Sequence, residues 1–193
     1  QILISRPLGT GVIFSAFING YVRPYVLDSV LKEMNKSQHQ IVNYINHLNN
    51  KDPSSNVVNA CTDITGFGLL GHLSEMLEST NNDQLKMNLD PVKIILELNK
   101  IPIYRGVKEL LDKGFESTLA PSNAIFFNNI DGEGNLRFEL LYNDFNFYDS
   151  SYNNLLKILV DPQTCGPLVI TCPPVYSEKL IQHGPWKKIG FIS

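Results

Sequence analysis

The chain has 193 residues, of which 43% are hydrophobic and 18% charged, and it carries a formal net charge of -3. That is the make-up of one globular domain with a sizeable core, and it excludes a disordered or fibrous chain. Lysine and arginine are scattered, so the sequence shows no basic face of the kind that phosphate-backbone binding requires, and nucleic acid is not an expected partner. The longest apolar run near the start, Val12 to Ile18, is far short of the ~20 residues that cross a bilayer. No charged-then-apolar leader precedes it, so no membrane partner is expected. Cys61, Cys165 and Cys172 form no CxxC pair, and an odd count argues against a disulfide framework or a zinc knuckle. A reducing, cytoplasmic setting follows. Gln1 stands directly inside an apolar run with no methionine and no cap before it, which reads as a piece cut from a longer polypeptide.

In chain order, Gln1 to Ser5 alternates as a short strand, Pro7, Gly9 and Gly11 punctuate a turn, and Val12 to Asn19 is an apolar helix. From Tyr25 to Leu48, Val26, Val30, Leu31, Met34, Ile41, Ile45 and Leu48 recur at helical steps, which predicts one long or two short amphipathic helices. Residues 49–56 carry Asp52-Pro53-Ser54-Ser55 and read as a surface loop. Leu69, Leu70, Leu73, Met76 and Leu77 form a helical stripe entered through Gly66-Phe67-Gly68. Leu85 to Leu89 alternates like a strand, and Pro91 after Asp90 opens a helix running to about Asn99. Tyr104 to Lys113 is a further helix closed by Gly114.

Ala124 to Tyr142 has two apolar runs around Asp131-Gly132-Glu133-Gly134-Asn135, which predicts a hairpin with a long turn in an asparagine-rich insertion at 128–143. The chain closes with a helix at Leu155–Leu159, a strand at Leu168–Thr171, a helix at Val175–His183 and a last strand at Lys188–Ile192. The expected fold class is α+β, a small mixed sheet covered by several helices.

The most informative segment is Ala60-Cys61-Thr62-Asp63-Ile64-Thr65-Gly66-Phe67-Gly68-Leu69-Leu70-Gly71-His72. A carboxylate, a hydroxyl residue and two glycines at the mouth of a helix offer a hard oxygen ligand for Mg²⁺ beside N–H groups that attract phosphate oxygens. The same residues also suit a plain helix cap with glycines that relieve crowding, and spacing alone does not choose between the two. A single His72 without a partner at metal spacing reads as a helix residue packed near the turn. Cys165 reads as a small buried residue beside a strand, and Cys61 and Cys172 as structural.

That string closely resembles the TD-V/I-TGFGLLGH motif of selenophosphate synthetases. Ser5-Arg6-Pro7-Leu8-Gly9-Thr10-Gly11 is similar to the family's KPLGTG turn, and Asp161-Pro162-Gln163-Thr164-Cys165-Gly166 to its DPQTSGG segment. Lys188-Ile189-Gly190 resembles its final strand, so the likeness spans almost the whole chain. The resemblance implies the C-terminal domain of the aminoimidazole ribonucleotide synthetase-like fold over residues 1–193. It implies a full-length protein that makes selenophosphate, AMP and phosphate from selenide, ATP and water. The catalytic Cys or selenocysteine, a Lys and several Mg²⁺-binding aspartates would lie in an N-terminal domain of the same polypeptide, which dimerises through its sheet.

No catalytic residue is expected in the present chain. One metal ligand carries over, Asp63, and Thr65, Gly66 and Gly68 would shape the adjoining nucleotide-binding turn. The chain departs from the family at Cys165 for Ser, Pro167 for Gly, Arg6 for Lys, and in lacking an Arg before Asn123. Pro167 removes an N–H and fixes φ, which puts the local loop in doubt. Two alternatives remain at this stage. One is another ATP-dependent synthetase or kinase of the same superfamily; the other is a non-catalytic paralogue serving as a regulatory or scaffold module.

Overall fold

Strand β1 (Ile2–Ile4) is three apolar residues with no exposed face, the pattern of a strand with neighbours on both sides and layers above and below. In the computed structural model, which describes residues 1–51, 55–131, 138–142 and 150–193, β1 lies inside a six-stranded sheet. The other strands are β2 (Ala60–Asp63), β3 (Ile94–Glu97), β4 (Phe138–Leu141), β5 (Leu168–Thr171) and β6 (Lys187–Ile192), in the order β2-β5-β1-β6-β3-β4. Four pairings are antiparallel and β3–β4 is parallel, so the sheet is mixed. The α+β expectation is met.

Among the described residues, eight helices surround the sheet: α1 (Thr10–Ile18), α2 (Pro24–Met34), α3 (His39–Lys51), α4 (Gly68–Lys86), α5 (Val107–Asp112), α6 (Ala120–Asp131), α7 (Ser150–Val160) and α8 (Pro174–His183). The pleat divides the core. Ile2 and Ile4 enter a large cluster with Val12, Leu69, Leu73, Val107 and Ile158, from α1, α4, α5 and α7. Leu3 and Ile170 point the other way, into a smaller cluster with Ile41, Leu180 and Trp186, beneath α3 and α8. Full burial of such a side chain stabilises by about 1.5–3 kcal/mol. The sheet is thereby held from both sides.

Several sequence expectations are corrected. Leu85 to Leu89 is not a strand: α4 continues to Lys86, Asn88 turns the chain with φ 56, and Leu85, Met87 and Leu89 are all exposed. Their alternation has no buried face to serve. Pro91 opens no helix, because Ile94, Ile95 and Leu96 are buried in β3 and only Leu98–Lys100 makes a short 3-10 turn. A short apolar run fits either element by periodicity, and burial within the sheet decides for strand. The hairpin is likewise replaced: residues 125–127 lie in α6, and β4 pairs parallel to β3. The predicted long turn at 131–135 falls mostly outside the described residues, as do Asp52, Pro53 and Ser54 of the predicted loop. Strand β2, unread from sequence, forms one edge of the sheet. The segment 25–48 resolves into two helices, α2 and α3.

Candidate functional site

The three family-like segments, far apart in sequence, meet at the β2 edge. Strand β2 pairs with β5 so that Asp63 lies opposite Leu168, and beyond the strand end Ile64 N–H donates to the Pro167 carbonyl at 2.9 Å. Gln163 N–H then donates to the Thr65 carbonyl at 3.0 Å. The backbone approach is so close that a Cβ on Gly166 would stand 1.9 Å from the Ile64 oxygen.

The Asp161–Gly166 segment also clasps the Pro7–Gly11 turn. The Gln163 side-chain oxygen accepts from Gly9 N–H at 3.0 Å, Thr10 N–H at 3.2 Å and the Thr10 hydroxyl at 3.1 Å. One Asp161 oxygen, Oδ2, accepts from Gly11 and Val12 at the start of α1, at 3.1 and 3.4 Å, and from Gln163 Nε2 at 2.9 Å. Its Oδ1 is buried without a partner. Gly11 permits this approach, since a Cβ there would meet Oδ1 at 2.4 Å. Burial dominates these hydrogen bonds and pushes the Asp161 carboxyl up to about 7. The DPQT-like string was legible in sequence, but its clasping role was not, because its partners lie some 150 residues earlier.

The turn entering α4 is fixed from three sides. Gly68 has φ +69, and a Cβ there would press on the Val160 and Leu159 backbone at 2.7 and 2.9 Å. Asn123 Nδ2 donates to the carbonyls of Gly66 at 2.8 Å and Val160 at 2.9 Å, tying the turn to the end of α7. Thr65 N–H donates to His72 Nε2 at 3.1 Å. Gly68 therefore supports the turn from beneath. Gly66 is exposed, with no atom within 4 Å of an added Cβ.

Asp63 and Thr65 open onto a cleft of about 650 Å³ whose walls also include Arg6, Met34, Cys61 and Cys165. The Asp63 side chain is exposed, and among the described residues no hydrogen bond or ion pair engages its carboxylate. Cys61, two residues earlier on the same face of β2, has its thiol pushed up by partial burial and then by the Asp63 charge. A neighbouring cavity of about 550 Å³ shares Arg6, Lys36 and Gln38 with the cleft but includes neither Asp63 nor Thr65.

The departures from the family pattern find their places here. Arg6 is buried and donates from Nη1 to the Cys165 carbonyl at 3.1 Å and from Nη2 to the Lys36 carbonyl, a two-pronged bridge that suits a guanidinium. Pro167 is accommodated without positive φ; the left-handed residue of this loop is Cys165, at φ 47. Cys165 is exposed rather than buried, and so is Cys61, whereas Cys172 is in the core. The expected burial failed at Cys165 because the left-handed bend turns that position out of the β5 approach, into the cleft wall.

No group of three His, Cys, Asp or Glu side chains converges as a metal cage among the described residues. A single exposed carboxylate matches an ion such as Mg²⁺, which keeps several waters and takes one or two carboxylates together with phosphate oxygens. No helix is long and apolar enough to cross a membrane among the described residues.

The chain is 28% identical over 183 residues to the selenide, water dikinase of Clostridioides difficile, covering 94% of this chain and 43% of that protein. It is 31% identical over 186 residues to that of Caldanaerobacter subterraneus, with the same shares covered. With that of Pelobacter propionicus it shares 30% over 180 residues, covering 93% and 42%. The chain thus spans about two fifths of the length of the curated relatives it matches, over their C-terminal part. The solved structure "AaThiL complexed with AMPPCP and TMP" covers all of this chain and 44% of that one, at a TM-score of 0.46 and 13% identity. The family model described as "AIR synthase related protein, C-terminal domain" matches residues 30–183, and the chain belongs to that family.

Proposed function

We propose that this chain is the C-terminal half of a selenide, water dikinase, closing over ATP while an N-terminal domain of the same polypeptide supplies the groups that begin the chemistry. The observation that carries the reading is the exposed, unpaired carboxylate of Asp63 on the cleft wall, beside a turn that three separate contacts hold in place. An uncommitted carboxylate on a rigid support is what a shared metal site needs from this half.

In this reading Asp63 holds Mg²⁺ together with aspartates of the N-terminal domain, and Thr65, Gly66 and Gly68 shape the nucleotide-facing turn. The metal would neutralise charge on the triphosphate as phosphate leaves. The relatives, selenide, water dikinases by name, favour selenide over another acceptor and an enzyme over a non-catalytic paralogue. A full-length homodimer in a reducing, cytoplasmic compartment completes the proposal, and the three free cysteines are compatible with that compartment.

The test is AMP formation from ATP and selenide by the full-length protein. Asp63→Ala is expected to lower it by about a hundredfold or more, the scale of losing a transition-state metal contact. Because one carboxylate leaves the ion mostly water-bound, the 193-residue chain alone should bind Mg·ATP only weakly. An activity indifferent to Asp63→Ala, or a micromolar affinity of the isolated chain, overturns the reading.

A further inference from the structure

We infer that His72 is a positioning residue for the cleft turn, accepting from Thr65 through Nε2 while its Nδ1 faces the Glu75 carboxylate. His72 sits one turn into α4 and is buried, with 9% of its surface exposed. Its Nε2 lies 3.1 Å from both the Thr65 amide nitrogen and the Thr65 hydroxyl oxygen, and its Nδ1 lies 3.3 Å from Glu75 Oε2. Phe67 approaches the ring edge-on, with centroids 6.0 Å apart.

The chemistry assigns the tautomer. A backbone N–H can only donate, so the nitrogen it meets must carry a lone pair, and the ring proton is left on Nδ1, facing the Glu75 carboxylate. With the single lone pair on Nε2 accepting from the Thr65 amide, that donor is committed within the protein. Gly66 and Phe67 are exposed, and among the described residues their amides have no protein acceptor, which leaves them as uncommitted donors of the turn. The sequence reading of His72 as a helix residue packed near the turn holds for its place. Its hydrogen bonds add a function that packing alone would not require. The consequence for a bound nucleotide rests on the reading proposed above; the positioning itself does not.

The experiment uses the 193-residue chain without nucleotide. Long-range ¹H–¹⁵N spectra of the wild type should show His72 protonated at Nδ1 and bare at Nε2. Amide exchange at Thr65 should be about tenfold faster in His72→Leu, the scale of one lost hydrogen bond, and should return toward wild type in His72→Gln, whose side-chain oxygen can accept. Urea unfolding of both variants separates lost packing from lost positioning. A His72 ring protonated at Nε2 in the wild type overturns the inference even if neither variant folds, and so does equal Thr65 exchange in the Leu and Gln variants. AMP formation by the full-length protein carrying Asp63→Ala tests the nucleotide reading separately, so the two can fail independently.

Discussion

Replacing Asp161 by Asn should remove a pH-dependent weakness from the fold. Asp161 has no exposed surface, and its carboxyl is pushed from 3.8 up to about 7, chiefly by burial. Between those two values the folded state binds the proton that the unfolded chain has released. Stability therefore falls as pH rises through that window, and the full cost is present above about pH 7. At ~1.4 kcal/mol for each tenfold in the proton equilibrium, raising the carboxyl from 3.8 to about 7 corresponds to about 4 kcal/mol. Asn is uncharged throughout and still offers an oxygen to the Gly11 and Val12 amides. The assay is urea unfolding from pH 4 to 8, followed by fluorescence of the single tryptophan, Trp186, which is buried in the smaller cluster. Relative to Asp161→Asn, the wild type should lose several kcal/mol across this range. Parallel curves, agreeing within about 1 kcal/mol, would refute the claim that desolvation outweighs the three hydrogen bonds to Oδ2.

Two further outcomes test the turn and the cleft. Gly68→Ala should cost about 1–3 kcal/mol in urea unfolding, because φ +69 and the Val160 contact both oppose a side chain, whereas Gly66→Ala at an open, exposed site should stay within about 0.5 kcal/mol. In the native state, thiol labelling read by mass spectrometry should modify Cys61 and Cys165 but not buried Cys172. Asp63→Asn should speed labelling of Cys61 by about two- to fivefold near neutral pH, since the lost charge is one that holds its thiol up.

How far the sequence reached varies with the physics behind each signal. The amphipathic stripes of α2, α3 and α4 are local, and 3.6-residue spacing reads them directly. The glycines at 68 and 114 marked a turn and a helix end, and both adopt a left-handed conformation. The family-like strings around Asp63 and Asp161 mark the segments that line the candidate site. Residues 94–96 and 125–127 were misassigned because short apolar runs suit helix or strand equally, and only their neighbours decide. Cys165 was misjudged for a related reason: its type favours burial, while the backbone bend that exposes it is set by the loop's contacts with β2 and Arg6.

By itself, then, the order of residues determined the amphipathic helices α2, α3 and α4 and where glycine turns the chain, since these depend on neighbours within a few positions, while Asp63 became a metal candidate through the family resemblance. Tertiary structure alone decided the rest. It brought Gln163 onto Gly9 and Thr10, seated Asp161 against Gly11, and set Asp63 on an open wall with Thr65 held by His72. Contacts across 150 residues depend on how strands pair and layers pack, and no local period in the chain records that.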